Sequence, residues 1–158
     1  MLPSVDELKT HLEQRLPGVS LSVDAGALVV APTDLISVCR CLKDTEHFRM
    51  DYLSNLTAVD YPPERMDVVY HLYSMAHKHG PITIRVTLNR ATPRVASVVP
   101  LWRGAEFQER EAYDLYGVIF EGHPDLRRIL MWDGFEGHPM RKDYVPENQN
   151  LLDERAPS

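Results

Sequence analysis

Four groupings in this sequence carry the side chains that catalysis or metal binding uses. Gly122-His123-Pro124 and Gly137-His138-Pro139 repeat a tripeptide 15 residues apart, with Glu121, Asp125, Asp133 and Glu136 nearby. Two imidazoles with flanking carboxylates suit a metal-dependent hydrolase or an acid–base pair. The same tripeptide also suits two sharp turns, because Gly frees the first backbone position and Pro biases the His towards extended geometry. His77-Lys78-His79 places two imidazoles beside Gly80-Pro81. No third ligand is close in sequence, so a solvated turn is the simpler reading. Cys39 and Cys41 fall at i and i+2 of a helical stretch, about 200° apart around the axis, so they do not grip one ion. Glu109-Arg110-Glu111 with Asp114, and Arg127-Arg128 with Arg141-Lys142-Asp143, are the densest charges in the chain. Glu111 and Asp114 are i, i+3 neighbours, and Arg110 and Asp114 are i, i+4 partners. Paired carboxylates can exchange protons, yet the chain has no Gly-rich phosphate loop, no G-x-G-x-x-G after a strand and no G-x-S-x-G. Interlocked Arg–carboxylate pairs that hold a loop to itself or to a partner fit these charges better.

The elements that must position these groups follow from periodicity. Ser4-Val5-Asp6-Glu7 reads as a capping box opening a helix on Val5, Leu8, Leu12 and Leu16, stopped by Pro17-Gly18. Ser20–Val23 and Ala27–Val30 flank Asp24-Ala25-Gly26 and predict a hairpin. Thr33 is the expected cap of a second helix carrying Leu35, Ile36, Val38, Cys39 and Leu42. An extended segment, Tyr52–Val59, ends at Asp60-Tyr61-Pro62-Pro63. Val68–Tyr73 and Ile82–Leu88 alternate strictly and predict strands with one buried face; Val95–Val99 is a further strand or an extended lead-in. From Trp102 the pattern is helical until Gly117. The order α-β-β-α-β-β-β, then a helix and a loop-rich C-terminal extension, predicts an α+β two-layer sandwich with a mixed sheet.

Composition narrows the function classes. The chain has 158 residues, 17 basic and 23 acidic, for a net charge of −6. That balance argues against binding a nucleic-acid backbone, which needs a Lys/Arg excess. At this size a fold buries about 69% of the extended chain's surface, enough for one core. Two cysteines cannot supply the four thiolates of an iron–sulfur cluster or an all-cysteine zinc site. No apolar run reaches the roughly 18 residues of a membrane span, and Met1–Glu7 does not read as a secretory signal. From Pro100 to Ser158, ten of 59 residues are Gly or Pro, so that stretch must lie over the sheet or over another protein. The expected organisation is an α+β core domain over 1–100, a helix and loop-rich segment over 101–145 packed on the core and on partners, and a flexible tail over 146–158.

The charged segment is also the most recognisable one. Trp102-Arg103-Gly104-Ala105-Glu106-Phe107-Gln108-Glu109-Arg110-Glu111-Ala112-Tyr113-Asp114-Leu115-Tyr116-Gly117 continues through Gly122-His123-Pro124-Asp125-Leu126-Arg127-Arg128-Ile129-Leu130 to Gly137-His138-Pro139-Met140-Arg141-Lys142-Asp143-Tyr144. This closely resembles the signature of the 30-kDa subunit family of respiratory complex I, part of bacterial NADH:quinone oxidoreductase. Leu56–Pro62 and Val69–Ser74 also resemble family segments. The resemblance implies a cofactor-free subunit of the peripheral arm, packed against the 49-kDa subunit and neighbouring iron–sulfur subunits. FMN and iron–sulfur clusters would then sit in those partners, on the cytoplasmic side of the bacterial inner membrane. It marks Trp102, Phe107, Glu109, Arg110, Glu111, Tyr113, Asp114, Tyr116 and Gly117 on the helix as signature or interface residues. In the extension it marks Gly122, His123, Pro124, Leu126, Arg127 and Arg128, then Gly137, Pro139, Arg141, Lys142 and Asp143. Arg110, Arg127, Arg128, Arg141 and Lys142 are expected to meet carboxylates, some on the partner. Trp102, Phe107, Tyr113, Tyr116 and Trp132 are the expected aromatic anchors. An accessory subunit of a membrane-bound hydrogenase or ferredoxin-linked complex is the alternative within the resemblance. The hydrolase using His123 and His138 is the alternative outside it.

Overall fold

A computed structural model describes residues 1–146 of the chain. Helix α1 (Val5–Arg15) opens with the expected capping box: the Glu7 N–H donates to Ser4 Oγ, and the Ser4 N–H donates to the Glu7 carboxylate. It buries Leu8 and Leu12. Strands β1 (Leu21–Asp24) and β2 (Ala27–Val30) form the hairpin. Helix α2 (Leu35–Asp44) buries Leu35, Val38, Cys39 and Leu42. Thr33 is not its cap. Pro32–Asp34 forms a short 3₁₀ turn that runs into the helix, so no side-chain cap bond is made.

Three long strands follow, β3 (Tyr52–Tyr61), β4 (Arg65–Ser74) and β5 (His79–Asn89), each longer than its alternation predicts. The sheet order is β1-β2-β5-β4-β3, with β2 parallel to β5 and the other pairs antiparallel. The sheet is therefore mixed, as the two-layer reading requires. One face carries Leu56, Ala58, Met66, Val68, Tyr70, Leu72, Ile82, Ile84 and Val86, all buried under the helices. That face supplies most of the core.

Residue 100 is not a boundary in the packing. Strand β6 (Arg94–Ala96) pairs in parallel with a strand invisible to periodicity, β7 (Ile119–Glu121), placing Val95 beside Phe120. Helix α3 (Ala105–Tyr116) lies between these strands in sequence and packs against β3. Val95, Val98, Trp102, Ala105, Ala112, Val118 and Phe120 belong to the same core as the sheet. Beyond β7 a strap from residue 122 to 146 runs without helix or strand. Of the expected tail over 146–158, residues 147–158 lie outside the described residues.

Candidate interface site

The strap is built around the charges of α3, and each has a defined job. Glu109 is fully buried; Ser97 Oγ donates to it at 2.6 Å and the Val98 N–H at 2.7 Å. No cation among the described residues neutralises it. The imidazole of His123 lies 3.9 Å away, but its Nε2 is 2.9 Å from the Glu106 carbonyl and its Nδ1 accepts the Asp125 N–H. Nδ1 is thus the acceptor and Nε2 the donor, to the Glu106 carbonyl and not to Glu109. Burial therefore pushes the Glu109 carboxyl up to about 7, against the pull of its two donors.

Asp114, one turn and a half further along α3, has the opposite fate. Burial alone would raise its carboxyl. The N–H groups of Met131, Leu130 and Ile129 donate to one carboxylate oxygen at 2.8, 2.7 and 3.1 Å, and the Arg128 guanidinium to the other at 2.7 Å. These donors win and hold it below the usual range. The strap thus wraps a carboxylate with three consecutive backbone donors.

The end of α3 is closed by the same strap. A helix leaves its last carbonyls without internal partners. Here Asp114 O accepts from Arg128 and from His138 Nδ1, Leu115 O from the Met140 N–H at 3.0 Å, and Tyr116 O from Arg141 Nε at 2.7 Å. Burial, with Arg141 and Arg128 adjacent, lowers the His138 pKa and keeps the ring neutral, while its bond to Asp114 works the other way. Gly117 ends the helix at φ +80°, and a Cβ there would lie 2.7 Å from the His138 ring. Only glycine meets both demands. Gly137 is constrained the same way, with φ +92° and the Tyr144 ring 2.9 Å from a Cβ position.

The far end of the strap is pinned to the sheet. Arg90 grips Asp60 through two bonds, 2.6 and 3.0 Å, and reaches Asp143 at 2.8 and 3.2 Å. The Lys142 N–H adds a bond to Asp60 at 2.8 Å. The Arg90 guanidinium holds the Asp60 carboxyl below its ordinary range, although burial opposes it.

Several sequence expectations change on this geometry. Arg110 does not pair with Asp114; it donates to the carbonyls of Arg127 and Arg128, and Arg128 takes the carboxylate instead. Glu111 and Asp114 do not form an acid–base pair, because Glu111 is exposed and Asp114 is spent on the strap. Trp102 is inside the fold, 6% exposed, donating its indole N–H to Met50 O, so it is not placed as an anchor for a partner. Tyr113 and Tyr116 are half-buried, Leu126 packs on the core, and Pro124 is exposed while Pro139 is half-buried. His123 and His138 are each committed to backbone groups, and no cluster of three or more metal-binding side chains occurs among the described residues. The hydrolase arrangement is thus not assembled. The His77 and His79 rings stack at 5.7 Å, with His77 on the Glu46 carbonyl. Cys39 is buried, its thiol pushed up to about 12, and Cys41 contacts Thr45 Oγ1. Sequence reasoning missed Arg90, Asp60 and Ser97. Asn89-Arg90 follows a strand like any solvated turn, and nothing local marks its partner 53 residues away.

While Asp114, Arg128, His138 and Arg141 bind the strap to α3, several large apolar side chains of the strap and of α3 face out. Phe107, Leu130, Trp132 and Met140 are 59, 58, 68 and 53% exposed. Trp132 stacks edge-on against Phe135, and Arg128 lies over the Phe135 ring. Exposed apolar groups on a locked, non-regular segment mark a surface suited to association. No helix among the described residues is long and apolar enough to cross a membrane.

The profile of the family described as "Respiratory-chain NADH dehydrogenase, 30 Kd subunit" matches residues 28–150. An NADH-quinone oxidoreductase subunit of this kind from Moorella thermoacetica is 45% identical over 143 residues, covering 89% of this chain and 95% of that protein. Another, from Rhizobium meliloti, is 48% identical over 120 residues, covering 75% of this chain and 65% of that protein. The chain thus spans just under two thirds of the length of that relative. Among solved structures, Nqo5 of a trypsin-resistant fragment superposes with a TM-score of 0.55 at 32% identity, over 75% of this chain and 98% of that one. A chain of an archaeal membrane-bound sulfane sulfur reductase shares the fold, with a TM-score of 0.69 at 21% identity, over 95% of this chain and 90% of that one.

Proposed function

Because this chain belongs to the family of the respiratory-chain NADH dehydrogenase 30 Kd subunit, we propose that it is a peripheral-arm subunit of an NADH:quinone oxidoreductase that contributes position and carries no electrons itself. Its partners are a 49-kDa-type subunit and the neighbouring iron–sulfur subunits, at the cytoplasmic face of a bacterial inner membrane. Flavin and iron–sulfur chemistry belongs to those partners. The observation that carries the reading is the strap with α3: Arg128 and Arg141 close internal bonds to the helix, while Phe107 of α3 and Leu130, Trp132 and Met140 of the strap point outward. Such a segment is ordered before it meets a partner, so docking spends little on ordering and fixes orientation. Electron transfer between partner-held centres depends steeply on their spacing, and a rigid wedge between subunits keeps that spacing constant.

Substituting Leu130 and Trp132 together by Asp in an affinity-tagged chain tests this. Both side chains are mostly exposed, so the chain folds, and the proposal expects at least a tenfold loss of co-purifying respiratory subunits and of NADH:quinone activity in membranes. Full retention of both would refute the docking role.

A further inference from the structure

Five basic side chains of the signature were expected to meet carboxylates, and four have found a settled place. Arg128 binds Asp114, and Arg127 binds Asp125 at 2.8 Å. Arg141 is half-buried on the Tyr116 carbonyl, and Lys142 is exposed over the Tyr61 ring. Arg110 differs. It is only 6% exposed, yet no carboxylate among the described residues lies within ion-pair distance of it.

Two acids near Arg110 are engaged elsewhere. Asp114, one turn along α3, is saturated by Arg128 and three backbone N–H groups. Asp125 feels the Arg110 charge but is bonded to Arg127. Arg110 Nε and one terminal nitrogen donate to the carbonyls of Arg127 and Arg128 at 3.1 and 3.0 Å. Its other terminal nitrogen donates to none of the described residues, and it is not sealed from solvent. Phe107, 59% exposed, lies 5.7 Å from the guanidinium carbon. The result is a desolvated cation fixed by two carbonyls, with one donor left open beside an exposed aromatic ring.

We propose that Arg110 is the seat for a carboxylate of a neighbouring subunit, received against the open guanidinium edge and covered by Phe107. The proposal deepens the docking role and rests on it. The charge argument selects the occupant. A buried guanidinium without a counter-ion is unfavourable by itself, and an incoming Asp or Glu supplies the missing charge through a short charge-assisted bond. A planar fork held by two carbonyls has lost its rotational freedom before the partner arrives. An exposed aromatic beside it excludes water once the pair closes, the arrangement that concentrates interface energy on a few residues. A second copy of this chain and a purely internal partner are the competing occupants.

The experiment uses the assembled complex. Arg110→Lys is introduced into the tagged chain in its native host, the complex is isolated, and a zero-length carbodiimide is added. The reagent joins an amine to a carboxylate as an amide with loss of water. Lysine still reaches a carbonyl, and arginine does not react, so the wild type gives the background. Peptide mass analysis is expected to show position 110 joined to an Asp or Glu of another subunit, at least tenfold above background. Phe107→Glu, which removes the covering ring and puts a carboxylate of the chain itself within reach of Arg110, is expected to lower recovery of partner subunits at least tenfold with an unchanged melting temperature of the chain. A link only to Asp125, Glu111 or a second copy, no link at all, or full recovery with Phe107→Glu overturns the proposal. If Arg110→Lys prevents assembly, the Phe107→Glu result decides alone. If the wild-type chain itself recovers no respiratory subunits, the docking role fails instead, which separates the two failures.

Discussion

Replacing Glu109 by Gln is expected to stabilise the protein above neutral pH and to leave it unchanged in mild acid. The carboxyl is buried with two donors and no cation among the described residues, and it titrates near 7 in the fold against 4.5 as a free side chain. A pKa raised in the folded state contributes stability that is fully present below the unfolded value and is lost as pH rises through the folded value. The window therefore runs from 4.5 to about 7. Across the whole window the effect is about 3 kcal/mol at 1.36 kcal/mol per unit. Of this, about 2 kcal/mol falls in the accessible range from about pH 5.5 to 8. Gln preserves both contacts: its carbonyl accepts the Val98 N–H and its amide donates to Ser97 Oγ. The assay is urea unfolding of wild type and Glu109→Gln at several pH values, read as the difference between the two. Taking the difference removes the carboxylates with lowered values, Asp60, Asp114, Asp125 and Asp143, which act with the opposite sign. A difference that stays flat from about pH 5.5 to 8 would mean that Glu109 titrates like a free carboxyl, and the account of its burial would be wrong.

Two further perturbations address the ends of the strap. Arg90→Met leaves Asp60 buried without its cation and should destabilise the chain by about 3–5 kcal/mol at neutral pH. Because the Asp60 value is lowered in the fold, its stabilisation is present above its unfolded value and disappears as pH falls through the folded one; the deficit should therefore shrink as unfolding is repeated at falling pH from neutral into acid, and a deficit that stays constant throughout would refute the pairing. Asp114→Asn keeps one acceptor oxygen, which can still serve the three strap N–H groups, but turns its NH2 group towards Arg128, so the Arg128 bond is lost and a donor faces a donor, at about 1–3 kcal/mol. Limited proteolysis should then cut first between residues 122 and 143 with α3 intact, and unchanged cleavage would show that Asp114 does not hold the strap.

The legible parts of this molecule are those whose cause is local. A capping box, a hairpin turn and two alternating strands each rest on neighbours within a few residues, and all three appear where their pattern places them. Strand β7 was not legible, because three residues after a helix-ending glycine show no period, and its strand character comes from pairing with β6 on the other side of α3. Thr33 looked like a cap but sits inside a 3₁₀ turn started by Pro32. The charges were legible as a set and not as pairs. Spacing put Arg110 with Asp114 along a helix face, whereas the strap brings Arg128 to that carboxylate with three backbone donors that no helical neighbour can offer. Competition between a local i, i+4 pair and a distant loop is decided by the number of donors delivered, and sequence spacing does not report that number.

That competition also explains why a Gly- and Pro-rich segment with little apolar periodicity can be ordered at all. Hydrophobic burial supplies little of that order: Leu126 packs on the core, but Leu130, Trp132 and Met140 remain mostly in solvent. Its order comes from α3 and the sheet, which offer buried groups in need of partners: the Asp114 carboxylate, three helix-end carbonyls and the Asp60–Arg90 pair. Each is costly to leave unmet, so the strap is held by their satisfaction and not by a core of its own. The apolar side chains are thereby released to the outside, on a backbone that is already fixed. A loop held by burial of its own Trp and Leu would have nothing left to present. Here, by contrast, one set of engaged polar residues holds the strap in place, and a separate set of apolar residues stays exposed, with Arg110 unpaired with any carboxylate among the described residues.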